Sequence, residues 1–220
     1  MGVVFVIKNP VKIGGVNGLE IHRLETDPFG TNAYLLRCKQ SSEAILVDAP
    51  GNADLILAQL SGYKVKMIII THGHVDHIMA LEEIKHSLQA PLAVHKEDSF
   101  SLPLKPDLNL NDGDRLTCGE QQILVMHTPG HTPGSICLLI GAYLLAGDTI
   151  FPGGPGKTAT PADFKTIYRT IQEKILPLPD DSVILSGHGE PTTLGKERKL
   201  INAFSAKATD DQLCGDVTWS

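Results

Sequence analysis

Residues 71–77 read Thr71-His72-Gly73-His74-Val75-Asp76-His77, which sets four metal-binding side chains within six positions. Three further candidate ligands follow, each inside a glycine-rich turn: His131 in TPGHTPGS, Asp148 in AGDT and His188 in SGHGE. Seven nitrogen and carboxylate donors exceed what one zinc needs, because zinc is usually four-coordinate. They suit two cations that share a carboxylate, the arrangement used for hydrolysis by a metal-activated water. Burying three imidazoles and a carboxylate together without a cation would be costly, so HxHxDH reads as a metal site. His22, His86, His95 and His127 lie outside these motifs and read as ordinary surface or core histidines.

Spacing explains how one short motif can serve two ions. Residues two apart in extended chain point to the same side, so His72 and His74 can converge on one cation. Asp76 and His77 follow after the chain has begun to turn, and can address a neighbouring position. The glycines beside His131, Asp148 and His188 permit the tight or left-handed backbone that brings loop ligands close together. A carboxylate such as Asp148 has two oxygens and can bridge cations about 3.5–4 Å apart. Imidazole with carboxylate suits zinc, Fe(II) or Mn(II). The expected cofactor is therefore two divalent metal ions, zinc first, with iron or manganese open.

These ligands need strands to present them. Leu19–Leu24, Asn32–Arg37 and Ala44–Asp48 read as strands separated by Gly, Pro, Asp and Ser clusters. Ala53–Ser61 reads as a helix. Lys66–Ile70 reads as a strand buried on both faces, and it runs straight into the histidine motif. That puts the ligands at a strand's carboxyl end, where open α/β sheets commonly carry their sites. A helix with Ile78, Leu81, Ile84 and Leu88 near one face follows, ended by Ala90-Pro91. Further strands are expected at Leu92–His95, Ile123–His127, Ser135–Leu139, Tyr143–Ala146 and Val183–Leu185. Thr160-Pro161-Ala162-Asp163 is a cap-like start to a helix that carries Phe164, Ile167, Tyr168, Ile171 and Ile175 at helical spacing. A last helix spans about Leu194 to Lys207.

At 220 residues with no repeat or linker, the chain is expected to be one domain over 1–207 with a C-terminal tail over 208–220. Trp219 is the tail's candidate anchor. The composition, 42% hydrophobic and 20% charged, is that of a globular protein. A net charge of -6 with no lysine or arginine block argues against a nucleic-acid partner, whose phosphates need concentrated positive charge. The apolar run Val3–Ile7 is too short for a signal peptide or a membrane span, so no membrane partner and a cytoplasmic location are expected. Oligomeric state is written in no motif. The cysteines at 38, 118, 137 and 214 show no metal or redox spacing and read as buried free thiols.

Taken in order, Asp48 at a strand end, His72/His74/Asp76/His77, His131, Asp148 and His188 resemble the five motifs of the metallo-β-lactamase superfamily, from about residue 19 to 200. The resemblance implies an α/β fold, the αβ/βα sandwich of two mixed sheets with helices outside and metals at one edge. It implies that His72, His74 and His131 hold one metal, that Asp76, His77 and His188 hold the other, and that Asp148 bridges. Asp48 would orient the motif without ligating. Within the superfamily, TPGHTPGS, LLAGDTIF and SGHGEPTTLGKER are most similar to glyoxalase II and its short relatives, which hydrolyse thioesters such as S-lactoylglutathione. Lys157 in GGPGK then stands where that family contacts the glutathione glycyl carboxylate. Three features depart from the full-length pattern: Thr158 and Ala159 follow Lys157 where a tyrosine is expected, Glu190 replaces a second tyrosine, and the C-terminal helical domain has no counterpart.

The expected function is therefore hydrolysis of a small-molecule thioester or ester by a hydroxide bridging two metals, with Asp76 also accepting a hydrogen bond from the attacking water. A lactonase would use the same donors on a cyclic ester. A persulfide dioxygenase of this fold would use a single Fe(II) held by two histidines and an aspartate. Phe151–Thr160, which follows Asp148 directly, is the expected wall of the substrate cleft. Lys196 and Arg198 read as solvated helix residues.

Overall fold

A computed structural model describes residues 10–205 and 212–219. The N-terminal half builds one sheet from β1 (Val11–Val16), β2 (Leu19–Thr26), β3 (Thr31–Cys38), β4 (Glu43–Val47), β5 (Lys64–Ile69), β6 (Leu92–His95) and β7 (Leu108–Leu110), side by side in that order. The first four strands pair antiparallel, whereas β4 to β7 run parallel. Parallel neighbours need crossovers, and α1 (Ala53–Leu60) and α2 (Leu81–Leu88) supply two of them.

The C-terminal half supplies β8 (Arg115–Cys118), β9 (Gln121–His127), β10 (Ile136–Ile140) and β11 (Tyr143–Gly147). A short ribbon of β12 (Ile150–Phe151) and β13 (Gly154–Pro155) follows, then α3 (Pro161–Thr170), β14 (Val183–Ser186), β15 (Thr192–Thr193) and α4 (Leu194–Ser205). The second sheet runs β15-β14-β11-β10-β9-β8 and is antiparallel except where β11 meets β14.

Period-two alternation divides the apolar residues among three layers. On β4, Ile45 and Val47 face the second sheet, where they meet Ile123, Val125, Leu138, Leu145 and Leu185. Ala44 and Leu46 point the other way, against Ile56 of α1 and Leu81 and Ile84 of α2. On the far side, Cys137, Leu144 and Ile184 of the second sheet pack against Phe164, Ile167 and Ile201 of α3 and α4. The chain is the αβ/βα sandwich with two mixed sheets that its motifs implied. No helix among the described residues is long and apolar enough to cross a membrane.

Several elements differ from the sequence reading. Only Ile68–Ile70 at the end of β5 are fully buried, and Lys64–Met67 are half-buried or exposed because they start at the rim of the sheet. Val75–His77 form a 3-10 turn that Ile78 closes, so α2 begins at Leu81 rather than at Ile78. The capping box at Thr160 and Asp163 is present, and a π-helical turn, Ile171–Ile175, prolongs the apolar stripe of α3. β1, with two glycines and a bulge, and the short β7 and β8 escaped the sequence reading. Three cysteines are buried free thiols as expected, but Cys214 is exposed. Val3–Ile7 and the predicted helix end at Lys207 lie outside the described residues.

Residues 212–219 pack against the body. Trp219 is 2% exposed and packs with Phe204 at 5.3 Å between ring centroids. It thus joins the core under α3 and α4.

Candidate metal centre

All seven sequence-selected donors meet at one edge of the sandwich. β5 delivers His72, His74, Asp76 and His77 from its carboxyl end, the β9–β10 loop delivers His131, and Asp148 and His188 follow the parallel strands β11 and β14. Two donor triads result, His72/His74/His131 and Asp76/His77/His188, each with ligand atoms within 4.8 Å of one another. His72, His77 and Asp148 form a third such group that spans both triads. Asp148 Oδ2 lies 4.0 Å from His72 Nε2, 3.5 Å from His131 Nε2 and 3.8 Å from His188 Nε2, and its Oδ1 lies 3.3 Å from His77 Nε2. Its two oxygens therefore stand between the triads. His22, His86, His95 and His127 belong to no donor group among the described residues; His95 and His127 stack on each other at 3.9 Å.

The donor set fits divalent cations. His72 Nε2 and His131 Nε2 approach to 3.2 Å, close to the edge of roughly 3.3 Å that two nitrogens make on a tetrahedral zinc. His77 Nε2 and Asp148 Oδ1 are both buried without a hydrogen-bond partner, and such orphaned atoms are costly unless an ion or proton satisfies them.

Three ligands are aimed from behind. Asp48 sits in the left-handed region at φ 62, a conformation that aspartate tolerates better than most residues. There its Oδ1 accepts from Thr71 N, and its Oδ2 accepts from Thr71 Oγ1 and His77 Nδ1, all at 2.8 Å. The backbone carbonyl of Lys157 accepts from His131 Nδ1 at 2.7 Å. Thr71 Oγ1 lies 3.2 Å from His72 Nδ1. Such contacts fix the Nδ1–H tautomer and leave Nε2 for a metal. Gly187 is required beside them, since a Cβ there would collide with the Asp148 carboxylate and the His77 ring.

Electrostatics reinforce this division. Burial, and then the charges of His77, His131, His74 and His188, hold His72 far below the usual histidine value, and burial also lowers His131. For His77, burial acts downward, but the Asp48 and Asp148 carboxylates outweigh it and lift the group to about 10. Asp76 is depressed by its hydrogen bond with His188, which in turn raises His188. Burial pushes Asp148 up, yet the His77 imidazole 3.3 Å away and the charges of His131 and His188 bring it below the usual range. Ionised carboxylates beside neutral His72 and His131 are the protonation states a cation requires, whereas His77 and His188 must each release a proton to bind one.

Asp98 is the residue the sequence did not reveal. It is 2% exposed and accepts from Gly73 N at 2.8 Å, Thr132 Oγ1 at 2.7 Å and Gly134 N at 2.7 Å. It thereby ties the His72–His74 loop to the His131 loop. In sequence it sits in HKEDSF, which carries no motif or periodicity. Asp98→Ala leaves two backbone N–H groups and a hydroxyl without their acceptor, which costs about 1–3 kcal/mol. Thermal melting should fall by about 2–4 °C per kcal/mol, and metal titration should show affinity weakened about 10–100-fold. Unchanged metal affinity would show that the tie does not position the ligands.

A cleft of about 350 Å³ opens against His131, Asp148 and His188. Phe151, Pro152, Gly154, Pro155 and Lys157 form one wall, the segment expected from its place after Asp148. Asp216, Val217 and Thr218 also line it. Glu190 pairs with Arg23 at 2.5 Å, and Arg23 also donates to Gly189 O at 2.7 Å, which braces the turn that carries His188. Arg198 clamps Asp180 and the carbonyls of Leu176 and Leu178, away from the cleft, and Lys196 is exposed.

Residues 26–188 match the model of the metallo-beta-lactamase superfamily, and the chain belongs to that family. It is 31% identical over 213 residues to hydroxyacylglutathione hydrolase GloC of Haemophilus influenzae, covering 86% of this chain and 100% of that one. It is 32% identical over 187 residues to mitochondrial persulfide dioxygenase ETHE1 of Homo sapiens, covering 78% of this chain and 70% of that one. Among solved structures, TTHA1623 in a di-iron-bound form is similar with a TM-score of 0.68 and 29% identity, covering 80% of this chain and 96% of that one.

Proposed function

We propose that this metallo-hydrolase cleaves thioesters of the S-lactoylglutathione type. The observation that carries the reading is the pair of donor triads about Asp148 at the floor of a cleft walled by Lys157. In this reading His72, His74 and His131 hold one divalent ion, Asp76, His77 and His188 hold a second, and Asp148 is common to both. Bound there, zinc (or iron or manganese) supplies Lewis acidity for an acyl carbonyl and lowers the pKa of water. Asp76, whose side chain is 22% exposed and whose Oδ2 lies 3.0 Å from His188 Nε2 at the cleft, accepts a hydrogen bond from the attacking water and fixes its approach. Asp48, the Lys157 carbonyl and Asp98 keep the ligands in place throughout. Similarity to GloC along its whole length supports a thioester as substrate.

The test is thiol release from S-lactoylglutathione by protein purified without chelator. A kcat/KM above about 10⁴ M⁻¹s⁻¹, within the ordinary enzyme range, is expected. A negligible rate from fully metallated protein would exclude this substrate.

Similarity to ETHE1 favours a second reading, iron-dependent persulfide oxidation. Oxygen uptake separates the two, since hydrolysis consumes none. The presence of all seven donors does not by itself separate the two readings.

A further inference from the structure

We infer that the C-terminal segment is a working wall of the substrate cleft, and that Asp216 weakens the hold of Lys157 on a leaving group that ends in a carboxylate. The inference rests on the cleft being the substrate site of the proposed hydrolase, but it concerns how tightly that cleft holds the leaving group.

The segment is held at both ends by its backbone. Thr158 and Gly215 exchange two hydrogen bonds, at 3.2 and 2.8 Å, and Trp219 N donates to Gly153 O at 2.8 Å. Gly153 N in turn donates to the buried Glu197 carboxylate at 2.8 Å, so the wall that receives the segment is itself braced. A Cβ on Gly154 would lie 2.5 Å from Val217 O, closer than any side chain allows. Glycine at 154 therefore lets the two walls approach. Trp219 completes the anchoring by its burial against Phe204 and Tyr168.

Between these anchors, Asp216 Oδ2 lies 3.5 Å from Lys157 Nζ. The two side chains are 80% and 68% exposed, and an exposed pair of this kind adds little to stability. Its consequence is electrostatic. Lys157 is the cation of the cleft wall, and Asp216 cancels its charge where a substrate's far end would arrive. A carboxylate that reaches Lys157 meets the Asp216 carboxylate at the same point and loses the attraction. An uncharged group meets a neutral wall and loses nothing. The cleft therefore binds a carboxylate-ended leaving group such as glutathione less tightly than Lys157 alone would, which raises KM without removing the substrate.

The test is calorimetric binding of S-methylglutathione, a probe that needs no turnover, to the metallated chain and to its Asp216→Asn variant. Asp216→Asn should tighten binding roughly fivefold at low salt, the size of one exposed charge contact. The gain should shrink at high salt and vanish when Lys157→Gln is added. No tightening, no measurable binding by Asp216→Asn, or an equal gain in the double variant would overturn the inference. Thiol release is read separately: a chain that shows the binding shift but cleaves no thioester keeps this role for Asp216 and loses the hydrolase reading.

Discussion

Asp76→Asn should lower thioester turnover by about 10³-fold, within the range for removal of one positioned acid–base group, while the chain stays folded. Asparagine keeps the shape of aspartate and can still accept from Thr31 Oγ1, which lies 3.3 Å from Asp76 Oδ2. The charge is what disappears. Asp76 Oδ2 stands 3.0 Å from His188 Nε2 and 3.7 Å from His77 Nε2, so the variant removes the anionic oxygen of the second triad. It also removes the acceptor that orients the attacking water. Metal content should be measured beside kcat/KM and a melting curve, because lost occupancy and lost alignment are different failures. His74→Ala should be comparably severe through the first triad, since His74 is exposed and little packing depends on it. Wild-type turnover in either variant would sink the two-ion reading.

The site was readable because metal chemistry is conspicuous in a chain. HxHxDH concentrates four donors, and although the structure buries only His72 and His77 of them, that burial makes little sense without a cation; the three later donors each sit in a glycine-marked turn. The residues that aim these donors were less legible. Asp48 was visible through its place at a strand end, but Asp98 was not, because three hydrogen bonds to residues 25 to 36 positions away leave no trace in a local pattern. The carbonyl of Lys157 was invisible for a stronger reason: any residue has one. Its grip on His131 depends only on the path of the chain.

For the fold, the buried strands β3, β4, β6 and β11 carry continuous apolar runs and were legible. β1 was not, because VKIGGV has two glycines and an exposed face that resemble a loop. The order of the strands is set by layers that exist only after collapse. Likewise, residues 212–219 lack periodicity because they are held through backbone bonds and one tryptophan rather than through a repeating apolar face. A single buried Trp can dock a segment that no pattern announces.

Removing the metals should lower the melting temperature by about 8–16 °C for each ion released. A free ion kept near 1,000 times its dissociation constant adds about 4 kcal/mol, and a chain of this size converts each kcal/mol into about 2–4 °C. The packing explains why the loss should be global. His72 and His77 are wholly buried with rings 4.1 Å apart, and both strands that end at Asp148 and His188 belong to the core sheet. In the stripped chain a proton on His77 answers the Asp48 and Asp148 carboxylates, which is why that group lies near 10 instead of 6.5. A raised value of this kind gives stability that is complete below about 6.5 and is lost as pH rises through about 10. The loaded chain has a cation in that role and does not depend on the proton. The melting gap between loaded and stripped protein should therefore widen from pH 7 towards pH 9, as read by calorimetry with and without a strong chelator. A gap that stays constant or closes over that range would mean that protons and cations do not compete for the same buried donors.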